Sequence, residues 1–368
     1  MKLARILLTI FFLGTAAAEK NDQGPKPQYE WEQISIPAAS ALEPVLEQFS
    51  PKRAVAYMED GALAWTRKRE CIACHTNGTY FVTRPALTGT LGRPPAELRE
   101  FVIDELDELR AMEPEKLRSS VRPTQVAYAA QGLAEWDSHV TGELSRETRE
   151  ALDLMLQVQD PEGAWSNVDT WPPFESSRYQ SATVAAMAMA NAPGWLAANG
   201  DQEAVRKTRE YLRTRAPHDY GRLLLLWVST RWPGLLEEEK QQELVEMIWR
   251  HQRADGGWSI RTFATPETWG RGNRAEKLRA EEDFENPASD GHQTGLCVLV
   301  LRRAGVPADD PRIQRALDWL LSNQRESGRW WTRSLNTDKF HFITYSGTCY
   351  PLLALDSCGR LAADRTTP

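Results

Sequence analysis

Between residues 51 and 358 the chain alternates two kinds of hydrophobic pattern. Segments 51–69, 95–111, 143–158, 201–214, 236–251 and 310–323 are highly charged and carry one apolar stripe at helical spacing. Segments 78–90, 122–136, 178–192, 219–230, 290–304 and 344–357 are small, apolar and nearly uncharged. A helix apolar all round belongs in an interior, and a charged helix with a single stripe belongs outside it. Strict alternation of the two kinds predicts an all-α fold, an α/α toroid of six inner and six outer helices in one domain over 51–358. No period-2 run survives, so no strand is expected. Pro85 and Gly89 interrupt the first inner segment. Residues 19–50, polar and Pro-spaced, read as an extended tether of low order, and 359–368 as a C-terminal tail.

Three turns repeat as Q-x-x-x-G-x-W: Gln159 to Trp165, Gln252 to Trp258 and Gln324 to Trp330. Each closes a charged helix, where a repeat protein fixes one unit to the next. The Gly suits a left-handed helix end, the Trp packs across the turn, and the Gln bonds loose backbone ends.

These motifs resemble the QW repeats of squalene-hopene cyclases and of the prenyltransferase/squalene-oxidase repeat family. The resemblance covers about 51–358. It implies inner and outer helices around a central apolar cavity, in one domain where the full cyclases carry two. The cyclases protonate their substrate with D-x-D-D-T-A at the start of an inner helix. The matching place reads Asp290-Gly291-His292-Gln293-Thr294-Gly295. The two central acids are replaced, which removes the proton donor an alkene requires. The prenyltransferase branch binds zinc through D-x-C and a later His. Asp290 and His292 keep part of that pattern, Gly347 stands at the third position, and His341 is an alternative ligand. The C-G-E-Q segment of thioester toroids is absent.

The N-terminus adds a compartment. Lys2 and Arg5 precede an apolar run, Ile6 to Leu13, and Ala16-Ala17-Ala18 forms a small-residue cleavage site. This is the pattern of a cleavable signal peptide at 1–18 and of a periplasmic or secreted protein. No later run is long enough to span a bilayer. With 44 Lys and Arg against 51 Asp and Glu and no basic stripe, nucleic-acid binding is not expected.

Cys71-Ile72-Ala73-Cys74-His75 reads C-x-x-C-H, the attachment site of a c-type haem. Two thiols at this spacing reach two vinyl groups on one porphyrin edge, and the adjacent imidazole binds iron. The same spacing serves a redox dithiol, half a zinc site or a disulfide. No second C-x-x-C completes a zinc site, and Cys297, Cys349 and Cys358 read as buried thiols in apolar helices. A C-x-x-C-H in the first repeat also resembles exported bacterial proteins that join a haem-c motif to this toroid.

One covalent haem c on Cys71 and Cys74 with His75 on the iron is therefore the expected cofactor. In an alternating toroid the inner helices run parallel and their N-termini share one rim. His75, His218, His292 and His341 are all expected there, with His292 or His341 as the sixth iron ligand and Asp290 and His292 as catalytic candidates. The bland reading of His292 is a helix-start residue bonded to backbone or to Asp290. His139 and His251 are expected to be solvated, Met58 is the one tempting thioether ligand, and Met187 and Met189 read as core. The connection from Ser259 to Ser289 reads as a lid over the rim or as a solvated insertion. The expected function is electron transfer with a redox partner protein, or a haem-linked oxidoreductase reaction on an apolar small molecule held in the barrel. The alternatives are a non-redox isoprenoid-binding or cyclase-like protein, and a repeat scaffold.

Overall fold

The computed structural model describes residues 26–165, 171–174 and 177–361. The expected signal peptide at 1–18 and residues 362–368 of the expected tail lie outside the described residues.

Among the described residues, the longer helices alternate as outer and inner: α1 Pro51–Arg69, α2 Asn77–Thr83, α3 Ala96–Arg110, α4 Arg122–Trp136, α5 Arg146–Gln157, α6 Arg178–Asn191, α7 Glu203–Thr214, α8 Asp219–Ser229, α9 Glu238–Arg250, α10 Gly291–Arg303, α11 Pro311–Ser322 and α12 Ile343–Ser357, with four short helices in the connections. Even-numbered helices are buried along most of their length; odd-numbered ones bury one stripe, such as Leu244, Val245, Met247 and Ile248 in α9. Each even helix packs on the next, and α12 packs back on α1 and α2. The expected α/α toroid is thus closed. Only α2 departs clearly from its expected length. It stops at Thr83, and the chain continues as a 3-10 turn over Arg84–Leu87, because Pro85 removes a donor from the helical ladder.

The three QW turns hold neighbouring units by one repeated device. Gly163, Gly256 and Gly328 have φ of 94°, 91° and 93°. A Cβ on them would lie 2.5, 2.7 and 2.2 Å from backbone of Lys207, Arg315 and Arg53 on the following outer helix. Only glycine combines that conformation with that approach. Gln159, Gln252 and Gln324 donate to the carbonyls of Ala204, Arg312 and Ser50, each at or just before the start of that same helix. Trp165, Trp258 and Trp330 are fully buried and donate from Nε1 to Met155, Ile248 and Leu320 at 2.9, 2.9 and 2.7 Å. The last turn reaches Ser50, the N-cap of α1, so the third copy closes the ring.

Residues 26–50 are not a loose tether. Tyr29–Trp31 (β1) pairs antiparallel with Ile34–Ile36 (β2), and the hairpin packs on α1. Tyr29 is buried against Tyr57, Phe342 and Tyr345. Further on, Glu43 binds the guanidinium of Arg329, which also donates to the carbonyl of Pro37 at 2.8 Å. Strands of three residues are too short to display a period-2 signature.

Behind the rim, large side chains of the inner helices meet. His292 of α10 lies 6.0 Å ring to ring from Tyr220 of α8 and 5.2 Å from Tyr350 of α12. Tyr350 in turn packs on Trp227 at 5.9 Å, and Tyr128 of α4 approaches both tyrosines. The connection from 259 to 290 is folded down as well. Arg261 pairs with Glu281, Lys277 bonds Glu281 at 3.2 Å, and Trp269 is buried. Within this connection the chain forms two 3-10 turns, Ile260–Phe263 and Pro266–Thr268, and a short helix, Ala275–Arg279. No described helix is long and apolar enough to cross a membrane.

Candidate functional site

The C-x-x-C-H residues form the turn between α1 and α2, wound around the fully buried Asn77. The Asn77 carbonyl accepts from Ala73 N–H at 2.8 Å, and its amide donates to the carbonyl of Cys71 at 3.0 Å. Gln125 donates to the carbonyl of Ile72 at 2.8 Å, and Thr79 to that of Cys74 at 2.6 Å. A Cβ on Gly78 would stand 2.8 Å from the Ala73 oxygen, so the turn closes tightly on the start of α2. These bonds fix the backbone that carries the two thiols.

His75 stacks on Phe342 at 4.6 Å, with Trp65 edge-on at 4.8 Å. Its Nδ1 lies 2.8 Å from Thr76 Oγ1, which lies 3.2 Å from the hydroxyl of Tyr29. With the Thr76 hydroxyl turned to Tyr29, Nδ1–H donates to Thr76 and Nε2 keeps its lone pair. Burial holds the imidazole at a pKa of about 4, so it is neutral at physiological pH, the form that binds metal.

Cys74 and His75 line a cleft of about 320 Å³. Its other walls come from the 171–174 segment, from Arg274, from Ser334, Asn336 and Thr337, and from Phe340, Phe342 and Ile343 at the start of α12. The lining is mostly aromatic and aliphatic. Trp171 stands 46% exposed there, although large hydrophobic side chains elsewhere in the domain are mostly covered. Two polar atoms in this wall, Arg274 Nε and Asn336 Oδ1, are buried without a hydrogen-bond partner.

The other rim histidines sit near this cleft but not in it. His292 is fully buried behind Phe174, whose ring meets it edge-on at 5.8 Å and itself lines the cleft. Both its nitrogens are engaged, Nδ1 with Ser346 Oγ at 2.7 Å and Nε2 with the Tyr220 hydroxyl at 3.2 Å. Ser346 gives its own proton to the carbonyl of Ile343, so Nδ1–H donates and Nε2 accepts from Tyr220. Burial pushes His292 down to about 3. His341 accepts from Ser334 N–H at 2.9 Å and lines a separate cleft with Asp290 and Arg333. His218 caps α8 and packs on Trp269 at 4.8 Å. The rim assignment of all four histidines therefore matches the geometry, whereas neither proposed sixth ligand reaches the cleft beside His75.

Asp290 is the N-cap of α10. Its carboxylate accepts from Gln293 N–H at 2.8 Å and from Ile260 N–H at 2.7 Å, and burial raises its pKa to about 6. That is a helix-start role. It bonds to Thr332 rather than to His292. Among the described residues no group of three or more His, Cys, Asp or Glu is placed to hold a metal ion, so Asp290, His292 and His341 do not form the zinc site the sequence left open. Met58 is fully buried in α1, and Met187 and Met189 are core, as expected for the last two. His139 and His251 are not simply solvated, since they bond Glu135 at 3.3 Å and Asp219 at 2.9 Å. Sequence reasoning did not find Trp65, Thr76, Phe174, Trp171, Arg274, Asn336 or Phe342. The aromatic and proline cluster at 171–174 and the aromatic pair flanking His341 were the available signals.

No family model and no curated protein matches the sequence. Among solved structures the chain is similar to ent-copalyl diphosphate synthase from Streptomyces platensis, with a TM-score of 0.47 and 15% identity over 77% of this chain and 50% of that one. This chain thus spans about half the length of that synthase. It is also similar to a variant of the type II terpene cyclase MstE from Scytonema in complex with geranylgeranyl dihydroxybenzoate. That match has a TM-score of 0.46 and 11% identity over 84% of this chain and 99% of that one. Both likenesses lie in the all-α fold, which here rests on the closed ring itself.

Proposed function

We propose that this chain is an exported c-type haem protein built on an α/α toroid, serving electron transfer or a haem-linked redox reaction. The observation that carries the reading is the apolar cleft that opens on Cys74 and on the neutral, aromatically clamped imidazole of His75. The donor set fits the group: Cys71 and Cys74 for the thioethers, and Nε2 of His75 for the iron. Bound haem would supply the one-electron chemistry. The protein's share is orientation and dryness. Phe342 and Trp65 fix the plane of the imidazole, and with Nδ1–H donating to Thr76 the basicity of Nε2 would be raised. Phe174, Phe340 and Ile343 keep water from that face of the cleft. Export, which the N-terminal sequence supports, places the chain where haem is attached to C-x-x-C-H.

The same aromatic lining favours a second reading, a non-redox protein that holds an isoprenoid or similar apolar molecule. Cyclisation itself is disfavoured, because both oxygens of Asp290 accept from backbone N–H groups and His292 and Gln293 stand where the cyclase motif has its central acids. Expression with a signal peptide and cytochrome c maturation factors separates the readings. A red chromophore that acid-acetone does not extract supports the haem protein. A colourless protein that releases an apolar small molecule into solvent supports the second.

A further inference from the structure

We propose that Arg274 is an anion anchor, which takes a carboxylate carried on a flat apolar body bound in the cleft. This inference rests on the cleft being a ligand site and deepens the haem reading, in which the carboxylate is a haem propionate. Cations around this connection are mostly committed: Arg261 and Lys277 bind Glu281, Arg279 binds Glu267 at 2.7 Å, and Arg333 faces Asp283 and Asp338. Arg274 has no ion pair among the described residues, and its Nε is buried without a hydrogen-bond partner in the cleft wall. A buried donor left unmade costs free energy that an acceptor on a ligand recovers.

A second leftover atom stands in the same wall. Asn336 donates from Nδ2 to the carbonyl of Pro172 at 2.8 Å, which ties two cleft segments together and fixes which way its amide points. Its Oδ1 is then buried with no partner and can accept from a donor or a water brought with the ligand. A single guanidinium balances the charge of one carboxylate, whereas a phosphate dianion would keep a net negative charge in an apolar cleft. The aromatic lining requires the rest of the molecule to be apolar, and its continuity with Cys74 and His75 fits a porphyrin edge.

The test uses the mature chain carrying Cys71→Ser and Cys74→Ser, so that binding is reversible, with and without Arg274→Ala or Arg274→Lys. Probes are protohaemin, its dimethyl ester, dodecanoate and methyl dodecanoate, titrated by absorbance or calorimetry, with circular dichroism to verify the fold. Protohaemin should bind about ten-fold or more tightly than its ester. Arg274→Ala should erase that preference, and Arg274→Lys should restore part of it. An acid-over-ester preference that Arg274→Ala leaves unchanged in a folded protein overturns the anchor, as does the absence of any acid-over-ester preference. Arg274-dependent binding of dodecanoate without binding of protohaemin upholds the anchor while removing the haem reading.

Discussion

The three QW turns and the rim cleft treat their aromatic and polar side chains in opposite ways. In the turns each Gln, Trp and Gly is spent within the chain. Every indole N–H has a carbonyl, every Gln amide reaches the next helix, and every Gly lies against backbone. In the cleft a Trp is left half exposed, an Arg unpaired among the described residues, and two buried polar atoms unsatisfied. Repeated Gln and Trp bonds hold the ring together, although Arg325 Nε and Ser327 Oγ of the third turn are also buried without a partner; what sets the cleft apart is that its two unmatched atoms belong to residues lining one apolar recess.

Truncation should separate the two regions most sharply. Trp258→Ala removes a fully buried indole and its bond to Ile248, and should cost about 3–5 kcal/mol by chemical denaturation. Trp171→Ala should stay within about 0.5 kcal/mol, since that ring is largely in solvent. Equal losses at the two positions would break the contrast. Gly256→Ala sets a Cβ 2.7 Å from the Arg315 oxygen at a positive φ, and should cost about 2 kcal/mol. A neutral result would mean that α11 is free to move away from the turn.

The rim histidines give a pH test of similar size. His292 titrates at about 3 in the fold against an ordinary 6.5, so below pH 6.5 the unfolded chain takes up a proton that the folded one refuses. Stability is complete above pH 6.5 and falls as pH drops, by about 2 kcal/mol from this residue between pH 6.5 and 5. His75, His218 and His341, each held near 4, act in the same direction, while Asp290, raised to about 6, opposes them. Comparing the wild-type chain with His292→Asn at stepped pH isolates the one residue, and parallel acid limbs would show that its pKa is not depressed in the fold. The smallest effect expected is spectroscopic. Because Phe174 stands between His292 and the cleft, His292→Ala should leave the spin state of the ferric haem protein unchanged. A shift from low to high spin would put His292 on the iron.

The sequence made the fold legible because its signals were local and repeated. Helical periodicity set the boundaries, strict alternation of charged and apolar segments implied closure, and three copies of one turn marked the repeat. The hairpin at residues 29–36 escaped because its strands are short and its turn has no Asn-Gly signature, with Glu32 supplying the positive φ of 47°. The cleft was legible only where it is contiguous, at Cys71, Cys74 and His75. Phe174, Arg274, Asn336 and Phe342 come from connections without periodicity, and nothing in the sequence sets Arg274 apart from the other arginines until its lack of a partner is seen. Placing four histidines on one rim followed from topology, whereas deciding which of them faces the cleft required the side-chain packing of Phe174 and Ser334.

Intact mass of the exported protein, made with the cytochrome c maturation machinery and measured under denaturing conditions, tests the central claim most directly. The mature chain should be heavier by one haem, and the Cys71→Ser, Cys74→Ser variant should show the bare-chain mass. A wild-type chain of bare mature mass, exported and folded in the presence of that machinery, would contradict it.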